Sequence, residues 1–383
     1  MIIHFITHFC PHYRVGTFEA LAQRSDATFT FFSDGSEDYW DPQHGVQRGN
    51  FAHTYLRGFN LAPKLRVVPG LLARVWHTPA DVIIKCINGR FALPVTYVLA
   101  RLRRTPFVLW TGIWRHPTWL FHRLTFPLTR YLYTHADAIA VYGPHVRDYL
   151  ISVGVKPERI FIAWHAVENA NYARAVPAVE TDALRAELGV AGRRVVLYVG
   201  RLVGIKALPD LVEAVGQLSN LAPVLVLVGH GPQRAALEQQ ARAAGVDVRF
   251  VGYVPTGGLA AYYAMANVFV LPSMTTAAGR ETWGLVVNEA MNQGLPVVAT
   301  EAVGAAAGGL VRDGETGCIV PERNPAALAA ALRDLLENPD LAQRLGAAGK
   351  REVASWTNER MVAGFMAAAE HARRARAGNG AHD

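Results

Sequence analysis

In the second half of the chain, short and mostly β-branched apolar runs alternate with stretches whose apolar positions recur at helical spacing. The runs are "RRVVLYVG" (193–200), "VLVLVG" (224–229), "VRFVGYV" (248–254), "NVFVLPS" (267–273) and "PVVATEA" (296–302). Between them lie "ALPDLVEAVGQL", "QRAALEQQARAAG" and "GLAAYYAMA". Strands apolar on both faces, separated by amphipathic helices, predict a parallel sheet covered on both sides. The first half repeats the rhythm less cleanly, in "IIHFITHF" (2–9), "TFTFFS" (28–33), "DVIIKC" (81–86), "PFVLW" (106–110), "ADAIAVYG" (136–143) and "RIFIAWHAV" (159–167). The pattern lapses over "NANYARAVPAVETD" (169–182), which reads as a linker. The expectation is an α/β chain of two Rossmann-like, doubly wound domains, residues 1–170 and 171–356, facing across a cleft. Ligands of such sheets bind beyond the carboxyl ends of the strands, so strand-end motifs carry the most weight. The polar end "RRARAGNGAHD" is expected to fray.

Composition bounds the setting. A chain of 383 residues exceeds what one core usually supports. Cys10, Cys86 and Cys318 lie far apart and form no C-x-x-C pair, which fits a reducing cytosol. The opening "MIIHFITHFC" has no basic residue ahead of an apolar run too short for a signal peptide. No window of eighteen uninterrupted apolar residues could span a bilayer. The net charge of +7 is uneven: residues 1–170 hold 18 Lys and Arg against 11 Asp and Glu, and the remainder holds 20 of each. Six of the eight Trp fall in the first half too. A basic, aromatic half suits an anionic partner such as a membrane surface or a lipid pyrophosphate; a generally basic proteome would give the same bias. Nucleic acid fits less well, since no recognition-helix or RNP pattern occurs.

Three strand ends could do chemistry. "VLYVGRLVGIKAL" leaves its strand at Gly200 and offers Arg201 and Lys206 before a helix, a favourable place for a diphosphate. "VLVLVGHGPQRAALE" has Gly229 and Gly231, but Arg234 stands where a dinucleotide fingerprint needs its third glycine. "GRETWGLVVNEAM" carries Glu281 and Glu289 around a helix predicted from Trp283 to Met291. Eight residues at the helical rise separate these carboxylates by roughly 12 Å. That exceeds the spacing of a glycosidase acid/base pair. Such glutamates could hold opposite ends of one elongated ligand, with backbone N–H groups near Gly284 and Leu285 meeting a phosphate between them.

The spacing Glu281-x7-Glu289, followed by "AMNQGLPVVATEAVGAAAGGLVRDGETGCIV", resembles the donor-site signature of the retaining family-4 glycosyltransferases of GT-B fold, the glycosyl transferases of group 1. "VGRL…K", "VGHGP" and "FVGYV" precede it in that family's order, so the resemblance covers about residues 193–321. It implies that Arg201 and Lys206 bind the diphosphate of a UDP-, GDP- or ADP-sugar, that Glu289 accepts from the ribose hydroxyls, and that Glu281 sits by the donor sugar. Backbone around Gly252 and Tyr253 would flank the base. The last helices, about 357–375, would cross back to the first domain. It also implies front-face transfer with retention, to a glycan or lipid-linked acceptor in bacterial cell-surface polysaccharide or glycolipid synthesis. No Asp-x-Asp occurs, which fits protein cations in place of a metal, and no separate cofactor is expected.

The first half departs from this pattern twice. Where many members have a paired-glycine turn, the chain reads "FCPHYRVGTFEAL", with Gly16 alone and Arg14 beside it. Where relatives often show Asn-Gly, it reads "AWHAVEN", with His165 at that place. Gly16 is carried as a donor contact. "LWTGIWRHPTW" offers His116 as the histidine near the donor sugar, with His165 in reserve; His4, His8 and His122 read as structural. The segment 114–133 interleaves Trp, Phe and Leu with arginines. It is either an interfacial surface for a lipid-linked acceptor, making peripheral membrane contact at the inner face, or a helix on the sheet with an arginine rim. Rival readings are a nucleotide-sugar epimerase or a phosphorylase on the same architecture, and a non-catalytic nucleotide-sugar-binding subunit.

Overall fold

The computed structural model describes residues 1–35, 46–62 and 65–379. The chain forms two compact units, one made of residues 1–112, 120–167 and 358 onward, the other of 113–119 and 168–357. The chain passes from the first unit to the second between Val167 and Glu168. Residues 113–119, read from sequence as part of the first domain, belong to the second unit.

The first unit is built on β1 (Ile2–Thr7), α1 (Val15–Arg24), β2 (Asp26–Phe31), β3 (His53–Tyr55), a hairpin of β4 (Phe59–Ala62) and β5 (Leu65–Val67), α2 (Gly70–His77), β6 (Val82–Cys86), α3 (Ala92–Leu102), β7 (Phe107–Thr111), α4 (Leu120–His135), β8 (Ala138–Val141), α5 (Pro144–Ser152) and β9 (Ile160–Ile162). Seven strands make a parallel sheet in the order β3-β2-β1-β6-β7-β8-β9. β6, β7 and β8 are buried at every residue, which is why they read as unbroken apolar runs. The chain runs one way from β1 to β2 and the other way from β6 through β9. Right-handed crossovers then put α1 on one face and α2, α3, α4 and α5 on the other. The last helix packs on the face of α1 and places Phe365 against Phe5 and Trp110, with ring centroids 5.4 Å from each.

The second unit comprises α6 (Asn169–Ala173), α7 (Ala178–Glu187), β10 (Val195–Val199), α8 (Leu208–Gly216), β11 (Val224–Val228), α9 (Arg234–Ala243), β12 (Val248–Gly252), α10 (Thr256–Met265), β13 (Val268–Leu271), α11 (Leu285–Asn292), β14 (Val297–Thr300), α12 (Gly304–Ala307), β15 (Cys318–Val320), α13 (Pro325–Glu337) and α14 (Pro339–Val353); α15 (Asn358–Asn379) is the closing helix of the first unit. Its parallel sheet has the order β12-β11-β10-β13-β14-β15. Asn324 and Asn338 cap α13 and α14, each side chain accepting from a backbone N–H three residues on.

Several expectations change. The linker at 169–182 is instead α6 and the start of α7; its weak apolar pattern reflects short helices whose only deeply buried side chain there is Tyr172. β3, the β4–β5 hairpin and β15 went unrecognised because each strand is three or four residues long and only partly buried or, in β4, exposed throughout. The polar end expected to fray is helical through Asn379, and its last four residues lie outside the described residues. No helix among the described residues is long and apolar enough to cross a membrane.

Candidate active site

In the second sheet the chain leaves β10 toward β11 and β12, then returns to the other side of β10 with β13. The order reverses between β10 and β13, and the loops leaving these strands flank the crevice where such sheets bind ligands. The loop after β10 carries Arg201 and Lys206; the loop after β13 carries Ser273 and Glu281. They meet: Lys206 Nζ lies 2.5 Å from Glu281 Oε2, and Ser273 Oγ donates to the same oxygen at 3.2 Å. The Met274 N–H donates to the Ile205 carbonyl at 2.8 Å, so the loops are also tied through backbone. Both charged side chains keep a small exposed area, 13% for Lys206 and 16% for Glu281.

Arg201 is partly exposed on the same loop, and its carbonyl accepts the buried Tyr198 hydroxyl at 2.8 Å. Burial, with the Glu281 charge adding to it, pushes that phenol well above its ordinary range. The G-x-G of the next strand end is a packing device. A Cβ on Gly229 would lie 2.1 Å from the Gly200 carbonyl oxygen, and one on Gly231 would lie 2.4 Å from that of Leu202. Only glycine lets the two loops approach so closely.

Glu281 is not on the helix predicted to run from Trp283. It pairs with Val303 as an isolated bridge, and its carbonyl accepts from the Trp114 indole at 2.9 Å. α11 begins at Leu285 because Gly284, at φ 88°, turns the chain into it. The separation of roughly 12 Å assumed helix throughout, so it does not describe this pair. The Val287 N–H donates to the Gly284 carbonyl at 2.9 Å, and the amino end of α11 opens beside Gly284 and Leu285.

Glu289 lies deeper, 6% exposed, and accepts from the Tyr263 hydroxyl at 2.7 Å. Burial raises its carboxyl to about 7, against the opposing pull of hydrogen bonds from Tyr263 and Tyr172. Trp283 is buried, donating to Asn288 Oδ1 at 2.8 Å and lying 5.1 Å from the Trp356 ring. Gly252, at φ 85°, ends β12, and its carbonyl accepts from the Gly229 N–H at 2.7 Å; Tyr253 follows, partly exposed.

His116 lies within residues 113–119. The Thr118 N–H of this segment donates to the Ala277 carbonyl at 2.9 Å, and its Trp114 ring sits 4.6 Å beneath the Arg280 guanidinium. The loop after β13 is further held by Thr275, whose N–H and hydroxyl both donate to Glu322. Sequence reasoning missed Ser273, Tyr263, Tyr172, Trp114 and Glu322. Only Ser273, two residues past the end of β13, carried a signal that could have found it.

Gly16 stands apart from the expected turn: it occupies the first turn of α1, in helical backbone. Beside it, Arg14 is 2% exposed, with no carboxylate partner among the described residues. Its guanidinium donates to Met361 Sδ at 3.1 Å and to His165 at 2.8 Å, and lies 5.5 Å from the Trp110 ring centre and 5.9 Å from that of Tyr142. Burial, then Arg14 and His145, hold His165 well below the usual histidine range, so its neutral ring can accept from Arg14. The two departures in the first half are therefore one arrangement. His4 is buried, bonds Thr30 Oγ1 at 2.8 Å and is lowered to about 3 by burial with Arg74 and Arg103, as a structural histidine would be.

The two units, each a parallel α/β sheet with a strand-order reversal at its centre, define the GT-B class of fold. The family model described as glycosyl transferases, group 1, matches residues 180–352. An α-D-kanosaminyltransferase of Streptomyces kanamyceticus is 30% identical over 284 residues, 70% of each chain. The chain belongs to the group 1 glycosyltransferases. A GDP-mannose-dependent α-(1-6)-phosphatidylinositol monomannoside mannosyltransferase of Mycolicibacterium smegmatis is 36% identical over 190 residues, 45% of this chain and about half (49%) of that protein's length. Among solved structures, Anabaena HepE in complex with UDP superposes with a TM-score of 0.76, covering 95% of this chain and 99% of that one at 22% identity.

Proposed function

We propose that the protein transfers a sugar from a UDP-, GDP- or ADP-sugar to a glycan or lipid-linked acceptor with its anomeric configuration retained, as a family-4 member serving bacterial cell-surface polysaccharide or glycolipid synthesis. The observation that carries this reading is the contact of Lys206 with Glu281 across the strand-order reversal. A cation and a carboxylate held together at a small exposed area form a pair that a ligand with an anion and hydroxyls can separate and use. Lys206 and Arg201 stabilise charge developing on the leaving diphosphate, aided by the amino end of α11 at Gly284 and Leu285. Glu281, once released, accepts from donor-sugar hydroxyls, with His116 beside the sugar. Glu289 accepts from the ribose, and the backbone at Gly252 and Tyr253 flanks the base. Protein cations do the work on the diphosphate, with no metal and no separate cofactor required. No carboxylate is placed as a nucleophile in this scheme; the acceptor attacks from the face the diphosphate leaves.

A panel of UDP-, GDP- and ADP-sugars tested for thermal stabilisation identifies the donor, since a ligand bound only to the native state raises the melting temperature. One nucleotide series should stabilise, and NMR of the product should show the donor's anomeric configuration. Stabilisation by none of them contradicts donor binding; an inverted product contradicts retention.

A further inference from the structure

The helix α4 is poorly buried for one that covers a sheet: Leu132 and Tyr133 are its only buried residues. Leu120, Leu124, Leu128 and Tyr131 recur at i, i+4, i+8 and i+11, which places them on one face. That face points outward, with Leu120 71% and Leu124 72% exposed. Phe121 borders it beneath Arg90, whose guanidinium lies 3.9 Å from the ring centre. The apolar surface continues onto α3 through Val98 and the 66%-exposed Leu102, and onto α2 through Leu72 and Trp76. The three helices adjoin: Tyr97 meets Tyr131 edge-on at 6.1 Å, and Arg103 donates to the Val75 carbonyl.

Charge on this face is predominantly positive; Asp137, just after α4, is held by Arg101 at 2.9 Å. α2, α3 and α4 contain no Asp or Glu, while Arg74, Arg101, Arg123 and Arg130 lie within them and Arg103 and Arg104 follow α3. Arg123 and Arg130 run along one side of the α4 stripe.

We propose that the first unit docks on an anionic lipid bilayer through the outer face of α2, α3 and α4, with α4 lying in the plane of the interface. A broad apolar stripe bordered by arginines suits that position, since the apolar side chains enter the acyl boundary while guanidinium groups reach anionic headgroups. A second copy of this chain is the poorer occupant, because self-pairing would bring the Arg123 and Arg130 rows of two like faces together. The proposal concerns this surface alone and stands whether or not the proposed donor chemistry is right.

The full chain is sedimented with vesicles of phosphatidylcholine alone and of phosphatidylcholine mixed with phosphatidylglycerol. The protein should partition onto the mixed vesicles, less so as salt is raised, and stay in solution with phosphatidylcholine alone. Replacing Leu124→Ser together with Leu128→Ser should lower the partition coefficient at least about tenfold. Arg123→Glu should lower it by about tenfold as well, since two units of charge change at the surface. An unchanged melting temperature in each variant separates lost docking from lost folding. Failure of the native chain to bind the mixed vesicles, or full binding by the leucine variant, overturns the proposal. A dimer that the leucine variant dissolves, with no vesicle binding, overturns it in favour of a second copy.

Discussion

The loop after β1 and the loop after β10 occupy the same place in two sheets of the same design, each beside the strand-order reversal, and each carries a cation. Arg14 is sealed: a neutral histidine, a thioether and aromatic rings surround it, and it is 2% exposed. Lys206 instead faces a carboxylate and keeps part of its surface open. Topology fixes where a cation will stand, but its neighbours decide what it does. A guanidinium stacked on rings and bonded to uncharged acceptors holds elements together, here α1, the segment after β9 and α15. An ammonium on an accessible glutamate is available to a ligand. The first unit thus spends its central cation on structure and presents its remaining basic surface on the outer helices.

The comparison can be broken most sharply at Lys206. Replacing Lys206→Ala should lower transfer kcat/KM by about 100- to 1000-fold, the scale of losing one preorganised charge-stabilising group, with the melting temperature nearly unchanged. Steady-state kinetics with the donor found in the panel would measure it. At the buried counterpart the expected effects are reversed. His165→Ala leaves guanidinium donors unpaired and should cost about 3 kcal/mol of stability, read from denaturant unfolding, because a buried donor on a charged group loses its acceptor. The native protein should also lose stability as pH falls below about 6.5, where the unfolded histidine takes up a proton that folded His165 refuses. His165→Asn should remove this histidine's share of that dependence and leave the share due to His4, which burial also holds far below its ordinary range.

Glu289 supplies a smaller effect of opposite sign. Its carboxyl, raised to about 7 by burial, contributes stability that is full below about pH 4.5 and lost as pH rises through 7. Donor binding that uses the carboxylate should therefore weaken as pH falls below 7, approaching tenfold per unit of pH. KM for the donor across pH 6 to 8, with Glu289→Gln as a flat reference, checks this expectation. The least effect belongs to the base-flanking position: Tyr253→Ala should raise donor KM only a few-fold, in line with losing one partly exposed contact.

The central parallel strands of both units, β6 to β8 in the first and β10, β11, β13 and β14 in the second, were legible because burial on both faces leaves unbroken apolar runs. The second unit's motifs were legible for a related reason, since Gly200, Lys206, Glu281 and Glu289 lie at strand ends or on the helix after them. What stayed hidden depends on distant partners. Arg14 and His165 are 151 residues apart, and neither residue type announces the other. Tyr263 and Tyr172 read as ordinary core residues until their hydroxyls are seen on Glu289. Residues 113–119 follow β7 in sequence, so periodicity assigned them to the first sheet, while the Thr118–Ala277 and Trp114–Glu281 hydrogen bonds hold them to the second unit. The helix start moved from Trp283 to Leu285 because Gly284 takes a left-handed conformation that apolar spacing does not report.

The central claim is that the crevice between β10 and β13 grips the diphosphate of the donor through Lys206. Calorimetric titration of the nucleoside diphosphate chosen by the panel, into the native chain and into Lys206→Ala, tests it most directly. The account predicts an affinity lower by about 100-fold in the variant, the loss expected when a charged hydrogen-bonding partner of a phosphate is removed. Equal affinity in the two proteins would contradict it.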